Sequence, residues 1–327
     1  MQISELGERA LIARIRARTP ATPDWVHIGI GDDAAVLQPA RGELDVVTTD
    51  CQVEGMHFRR DWSSMYDIGR KALAVNVSDL AAMGAAPRAA TLSLALPSTL
   101  SVDDFDALID GFMSLAVEVR VPLVGGNLSR SPGPIMIDVT LIGSARPRRV
   151  LTRSGGHAGH LLYVTGTLGH AAAALAHAQR TGHFPPASAE ASAGKPAPSH
   201  PVAPSHPRTR LQCGQQVARN RAASACMDIS DGLADAVAQI AEASGTGARL
   251  DSSKIPVDPT ATLEQALTGG EDYELLFAVP ARRRRAFEKT AGRQVIVTCI
   301  GELTSTSGVV LVRDGVSEPL GGGFSHF

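Results

Sequence analysis

The sequence predicts an α+β domain followed by a second unit in which strands and helices succeed one another. In the first half, strand-like runs follow each other without an intervening helix, which does not fit a regularly repeated βαβ array. Ser64–Met83 carries alanine and leucine at helical spacing. Pro147, Gly155 and Gly156 then interrupt the pattern before a new apolar strand at Leu161–Thr165, so the boundary falls near residues 147–155, with domains at 1–149 and 150–327.

Met1–Arg18 mixes charged and apolar residues and reads as a surface helix. Ala34–Leu37 and Leu44–Thr49 have strand character and are joined by a Pro-Ala-Arg-Gly turn, which predicts a hairpin. The Ser64–Met83 helix stops at Gly84, with Pro87 beyond, the usual order at a helix end. Asn76 and Asp79, three residues apart, then share one helix face. Ala90–Leu96 is a strand, and Ser101 with Asp104 reads as a capping box for a helix through Val119. Val121–Val124 and Ile135–Gly143 complete the first set of strands.

In the second unit a helix is expected from about Leu168, a strand running into Asp228, a helix from about Gly232, and strands at Tyr273–Val279 and Val295–Ile300. Residues 182–207 are dominated by Pro, Ala, Ser and His, with hardly any large apolar side chain to offset ordering entropy, and read as a mobile insertion. His183, His200 and His206 in it lack metal-ligand spacing and read as solvated.

Several function classes are excluded by composition. A formal charge of −2 over 327 residues, with basic residues scattered, gives no electrostatic stripe for nucleic acid. The one basic run, Arg282–Arg285, reads as a solvated helix face. Four widely spaced cysteines form neither a zinc knot nor a disulfide framework, which fits a reducing cytoplasm. No run reaches the apolar length of a membrane span, and the first residues lack the apolar core of a signal peptide. A soluble cytoplasmic protein is expected.

The chemistry-bearing feature is six aspartates at the ends of apolar segments: Asp32 and Asp33, Asp50, Asp79, Asp228 and Asp231. Any one of them is equally at home as a turn or cap residue. Converging carboxylates would repel one another unless a hard cation with oxygen ligands stood between them, and Mg²⁺ is the natural choice. Such ions also bridge carboxylates to polyphosphate, which points to phosphoryl transfer from a nucleotide. There is no GxxxxGK[ST] loop, and Gly29-Ile-Gly31 lacks the third glycine of a dinucleotide fingerprint, so the nucleotide site is of another type.

Six ordered segments carry a resemblance: Gly29-Ile-Gly-Asp-Asp-Ala-Ala-Val36, Thr48-Thr-Asp50, Glu54-Gly-Met-His-Phe58, Ala74-Val-Asn-Val-Ser-Asp-Leu-Ala-Ala-Met-Gly84, Ser230-Asp-Gly-Leu233 and Gly269-Gly-Glu-Asp-Tyr-Glu-Leu-Leu-Phe277. Together the chain resembles the thiamine-monophosphate kinases, within the aminoimidazole ribonucleotide synthetase-like ATP-binding enzymes. The resemblance implies an α+β N-terminal domain that binds ATP and Mg²⁺ and dimerises through its strands, an α/β C-terminal domain, and a homodimer. It implies that ATP phosphorylates thiamine monophosphate. Asp33, Thr48, Thr49, Asp50, Asp79, Asn127, Asp228 and Asp231 are then expected at Mg²⁺, and Gly126, Asn127, Arg153 and Ser230 at ATP. His57 and Glu271 are expected to face the thiamine phosphate, with Asp50, Asp79 and Arg153 as the catalytic set. His57 also reads as a structural histidine, Glu271 as a cap and Arg153 as a surface arginine.

Two positions depart from the family pattern. Asn127 follows Gly125-Gly126 where an aspartate is usual, and it reads either as a neutral metal ligand or as a turn residue. Gly321 stands near where a tryptophan often lies against the thiamine ring. They leave two alternatives: a degenerate nucleotide-binding protein, and a same-fold kinase for another phosphorylated substrate. A selenophosphate synthetase is disfavoured because no cysteine precedes Cys51, and an aminoimidazole ribonucleotide synthetase because Asp50-Cys-Gln-Val-Glu-Gly55 replaces a DGVGTK-like segment.

Overall fold

The protein is described from a computed structural model covering residues 1–184 and 207–321. The expected insertion lies outside the described residues, apart from its two ends, and so do His200 and His206. The chain forms two compact units. One is Met1–Val77, Pro87–Ser144 and the described part of Ala178–His206; the other is Ser78–Ala86, Ala145–His177 and the described part of Pro207–Phe327.

In the first unit the N-terminal segment is two helices, α1 (Ile3–Leu6) and α2 (Glu8–Arg18), parted at Gly7 with φ 76°. After β1 (Val26–Ile28), β2 (Val36–Leu37) and β3 (Leu44–Val53) comes α3 (Met65–Ala82), whose last turn belongs to the second unit. β4 (Ala86–Pro97), α4 (Val102–Glu118), β5 (Leu123–Ser131) and β6 (Met136–Ala145) complete the set. The expected hairpin does not form. β2 pairs with β1, and β3 joins a four-stranded sheet of order β3-β6-β4-β5. Strand length decides this: β2 is two residues long, whereas β3 and β6 are ten each and can form a long ladder.

One face of that sheet is apolar, with Leu92, Leu94 and Leu96 of β4 and Ile137, Val139 and Leu141 of β6 all buried. Helices α3 and α4 approach so closely that a Cβ at Gly69 would strike the Leu108 carbonyl and one at Gly111 the Tyr66 carbonyl. Ser101 caps α4 by accepting from Asp104 N at 3.0 Å. Arg14 and Arg18 of α2 pair with Asp106 of α4.

The second unit holds β7 (Leu161–Thr165), α5 (His170–Thr181), α6 (Leu211–Asn220), β8 (Ala225–Ile229), α7 (Leu233–Ala243), β9 (Gly247–Asp251), α8 (Leu263–Thr268), β10 (Glu274–Val279), α9 (Arg284–Ala291), β11 (Val297–Thr304), β12 (Gly308–Arg313) and β13 (Val316–Pro319). Its sheet has the order β13-β12-β9-β11-β7-β10-β8. The β9–β12 pair is parallel, and the β10 and β11 pairings are antiparallel. Leu233, Val237 and Ile240 of α7 bury against Leu250, Leu276 and Ile300 in one apolar cluster. The end of α3 is a Schellman motif: Ala85 N donates to Leu80 O at 2.8 Å and Gly84 N to Ala81 O at 3.0 Å, with Gly84 at φ 66°. Glycine is required there twice over, since a Cβ would also collide with Ala218 of α6.

Arg282–Arg285 are exposed or half-buried on the approach to and first turn of α9, as a solvated run. All four cysteines are free thiols. Among the described residues no helix is long and apolar enough to cross a membrane.

Candidate active site

Strand parity sorts the Thr48-Thr-Asp50 segment of β3. Thr48, Asp50 and Gln52 share one face, and Thr49 and Cys51 the other. The Thr49 hydroxyl bonds Asp138 at 3.2 Å and Thr140 at 3.3 Å across on β6. An ion held by the Asp50 carboxylate is therefore within reach of Thr48 by its side chain and of Thr49 only through its main chain.

Gly126 and Asn127 stand inside β5, in register with Leu92 and Ser93 of β4. Asn127 is thus a strand residue, and the turn alternative is excluded. A Cβ at Gly126 would run into the Leu92 carbonyl, so the glycine permits the close β4–β5 approach as well as an exposed, side-chain-free surface. Asn127 Nδ2 donates to Ser129 Oγ at 2.9 Å, and its Oδ1 is the oxygen it can offer a cation. β3 and β5 lie at opposite edges of the sheet, three strand spacings or about 14 Å apart along it. Asn127 and Asp50 therefore do not share one ion within this unit. Asp33 is exposed in the bend after Gly31, its N–H donating to Asp32 Oδ1 at 2.9 Å.

His57 closes a turn at the end of β3. Its Nδ1 accepts from Val53 N at 3.0 Å, which leaves the ring proton on Nε2 as a donor. The buried Lys71 donates to His57 O at 2.9 Å. Glu54 ties the same turn to the approach to β6, accepting from Ile135 N at 3.0 Å and from Arg60 Nε at 2.6 Å. A concavity of about 360 Å³ beside it is lined by Glu54, Gly55, Arg59, Arg60 and Asp61. Lys71 and Glu54 were not singled out from the sequence, because neither has a spacing signature; their roles come from the turn they hold.

In the second unit the strand-to-helix junction after β8 gathers several expected residues. The buried Asp228 accepts from Ser78 Oγ at 2.8 Å, which sets Ser78, in the last turns of α3, against it. Ser230 Oγ donates to Asp231 Oδ2 at 2.7 Å, just before the N-terminus of α7. The Gly269–Tyr273 loop folds onto the junction through Glu271 N to Ser230 O at 2.6 Å and Tyr273 N to Ile229 O at 2.9 Å. Both donors have positive φ, Glu271 at 70° and Tyr273 at 49°, a conformation costing about 1–3 kcal/mol each that the surrounding bonds must hold.

The acids of that loop divide the labour. Glu271 is exposed. Asp272 accepts from Gly169 N at 2.6 Å and Ala171 N at 3.2 Å at the start of α5. Burial nevertheless pushes its carboxyl up to about 6, against those two bonds. Glu274 is buried, paired with Arg210 and hydrogen-bonded by Thr165. Arg153 is exposed and donates to Gln239 Oε1, whose Nε2 donates to Asp235 Oδ2 at 2.6 Å in the first turn of α7. Gln239 was missed in the sequence; its signal is the i, i+4 spacing from Asp235.

The donor set suits Mg²⁺ rather than a transition metal, being carboxylates, hydroxyls and amides. Among the described residues no three His, Cys, Asp or Glu side chains form a ready metal-holding group. Mg²⁺ does not need one, since it keeps several waters and is bound through one or two carboxylates plus substrate phosphates. Among the described residues two buried side-chain oxygens, Gln52 Oε1 and Asn76 Oδ1, have no hydrogen-bond partner.

Residues 31–145 match the family of AIR synthase related protein N-terminal domains and residues 157–314 that of the C-terminal domains. The fold is that of a two-domain AIR synthase related protein. A thiamine-monophosphate kinase of Salmonella typhimurium is 38% identical over 98% of this chain and 98% of its own length. The crystal structure of thiamine-monophosphate kinase from Stenotrophomonas maltophilia is 37% identical with a TM-score of 0.80, over 94% of this chain and 96% of that one. AaThiL complexed with AMPPCP and TMP is 30% identical with a TM-score of 0.72, over 100% and 99%. The chain belongs to the thiamine-monophosphate kinase family, the ATP-dependent phosphotransferases that act on thiamine monophosphate.

Proposed function

We propose that this protein makes thiamine diphosphate by direct in-line transfer of the γ-phosphoryl group of ATP to thiamine monophosphate, assisted by several Mg²⁺ ions. It acts in the cytoplasm as a homodimer. Residues 1–149 serve as the ATP- and Mg²⁺-binding and dimerisation domain, and 150–327 as the second domain. The observation that supports the reading is the β8–α7 junction, where Ser230 donates to Asp231 and Ser78, the neighbour of Asp79 on α3, donates to the buried Asp228.

The acceptor needs no strong protein base. A phosphate monoester has its second pKa near ~6 and is already an anion at neutral pH. The remaining task is to orient two polyanions and to neutralise their repulsion. Asp33, Thr48, Asp50 and Asn127, with the main chain of Thr49, are the oxygen donors of the first unit; Asp79, Asp228 and Asp231 are those of the second. Bound Mg²⁺ would supply charge neutralisation on the phosphate oxygens.

Gly126 lets a phosphate chain approach the β5 backbone, and Ser230 offers its hydroxyl group to ATP. The Arg153 guanidinium, oriented by Gln239, balances charge on the transferred group. His57 presents Nε2–H, and Glu271 its exposed carboxylate, to the thiamine phosphate.

Single-turnover incubation with ATP, Mg²⁺ and thiamine monophosphate tests the reading. Thiamine diphosphate should form in step with ADP. ATP binding without thiamine diphosphate would favour the degenerate alternative, and transfer only to another phosphorylated acceptor would favour the same-fold kinase; family membership favours neither.

A further inference from the structure

The β3 strand carries one buried polar side chain that the reaction as proposed does not use. Gln52 is 4% exposed, and among the described residues its Oε1 has no hydrogen-bond partner. An orphaned amide oxygen in a protein interior is costly, and native folds keep few of them. The apolar residues of the same sheet show that a leucine or methionine would pack on this face.

Strand parity places Gln52 on the same face as Asp50 and Thr48, and two residues of strand separate its Cα from that of Asp50 by about 6.6 Å. A glutamine side chain spans most of that distance. An amide oxygen is a hard donor with two lone pairs and no charge. It does not replace a carboxylate as an inner ligand, but it suits the outer side of a hydrated cation, whose polarised waters are strong donors.

We infer that Gln52 is a positioning residue for the Mg²⁺ proposed at Asp50, its Oε1 accepting a hydrogen bond from the ion's hydration shell. The inference rests on the proposed reading of Asp50 as an Mg²⁺ ligand. The site then fixes the ion on two sides: Asp50 supplies charge, and Gln52 orients the water that remains.

The test uses the full chain and Mg²⁺ alone, without turnover. Gln52→Leu and Gln52→Met remove the acceptor while keeping the volume; two variants are made so that a packing failure in one leaves the other to read. Thermal unfolding is followed against Mg²⁺ concentration, beside wild type and Asp50→Asn. The expected result is that metal-free stability holds or rises in the better folded variant, because the orphan is gone. The Mg²⁺ concentration for half-maximal stabilisation should rise roughly 10-fold, the low end for loss of an outer-sphere partner.

A variant curve superimposable on wild type, with Asp50→Asn shifted, overturns the role of Gln52 and leaves Asp50 standing. An unshifted Asp50→Asn removes the ion from this strand and the inference with it. Equal loss of stability with and without Mg²⁺ in both variants would make Gln52 a packing residue only, and likewise overturns the proposal.

Discussion

The two units present their acidic residues by different means. On β3 the backbone is regular, and parity alone decides that Thr48, Asp50 and Gln52 look one way while Thr49 faces Asp138 and Thr140. At the β8–α7 junction the placement comes from an irregular loop with two left-handed non-glycine residues, held by Ser230 O and Ile229 O. A strand fixes direction cheaply but offers one residue in two. A loop can aim adjacent residues differently, and three acids within Glu271–Glu274 take three separate roles, at the cost of anchors such as Asp272 and Glu274.

The largest expected effect asks whether both kinds of display serve one reaction. Asp50→Asn on the strand and Asp79→Asn on α3 each remove a charge at nearly constant volume. Each should lower kcat by about two orders of magnitude or more, the scale of losing several kcal/mol of charge stabilisation. Unfolding midpoints should hardly move. Wild-type turnover in either variant would remove that residue from the site.

The second break separates the anchor Glu274, the first residue of β10, from Glu271, the loop acid proposed at the substrate. Glu274→Ala leaves the Arg210 guanidinium buried without its partner and should cost about 3–5 kcal/mol in denaturant unfolding. Glu271→Gln, at an exposed position, should stay within about 0.5 kcal/mol of wild type while raising KM for thiamine monophosphate. Equal destabilisation by the two would collapse the distinction.

A third, smaller effect is one of pH. The folded Asp272 holds its proton up to about 6, above the value of a carboxyl in the unfolded chain near ~3.9. The stability from that protonation is fully present below pH ~4 and is lost as pH rises through about 6. Asp272→Asn keeps an acceptor for Gly169 N without titrating. Its stability should lack the wild-type decline between pH ~4 and ~6, a difference on the order of 3 kcal/mol at about 1.4 kcal/mol per pH unit. Parallel profiles for the two proteins would show that the hydrogen bonds at the start of α5 keep the carboxyl low.

Much of this was legible in the residues. A continuous apolar run gave β7 at its observed bounds, and the Gly84 stop on α3 followed from the need for a left-handed residue. The hairpin at Ala34–Thr49 failed because turn chemistry between two runs says nothing about longer partners elsewhere, and β6 is such a partner for β3. Helix α6 was missed, although its buried face, Leu211, Cys213, Gly214, Val217 and Ala218, falls largely at helical spacing. The aspartates expected at the site stand out in the sequence, whereas Lys71, Gln239 and Gln52 do not. Their meaning lies in what they bond, or fail to bond, after folding.

The smallest expected effect concerns Asn127, where the comparison between strand and loop is most open to sharpening. It lies mid-strand on β5, exposed, with Nδ2 on Ser129 Oγ, and about 14 Å along the sheet from β3. Asn127→Asp adds a full charge, and the Ser129 hydroxyl can turn to donate to it. If an ion sits at this strand, the Mg²⁺ concentration for half-maximal rate should fall by a factor of several to tens. A partly solvated carboxylate at an effective dielectric near ~20 contributes only a few kcal/mol before its own desolvation is subtracted. The separation from Asp50 adds a sharper expectation: the gain should persist in an Asp50→Asn background, since ions held at opposite edges of one sheet respond nearly independently. Measuring the Mg²⁺ dependence of rate at fixed ATP for wild type, both single variants and the double variant decides it. Superimposable curves for wild type and Asn127→Asp remove the metal from β5, and a gain that vanishes without Asp50 would mean that the two residues hold one ion after all.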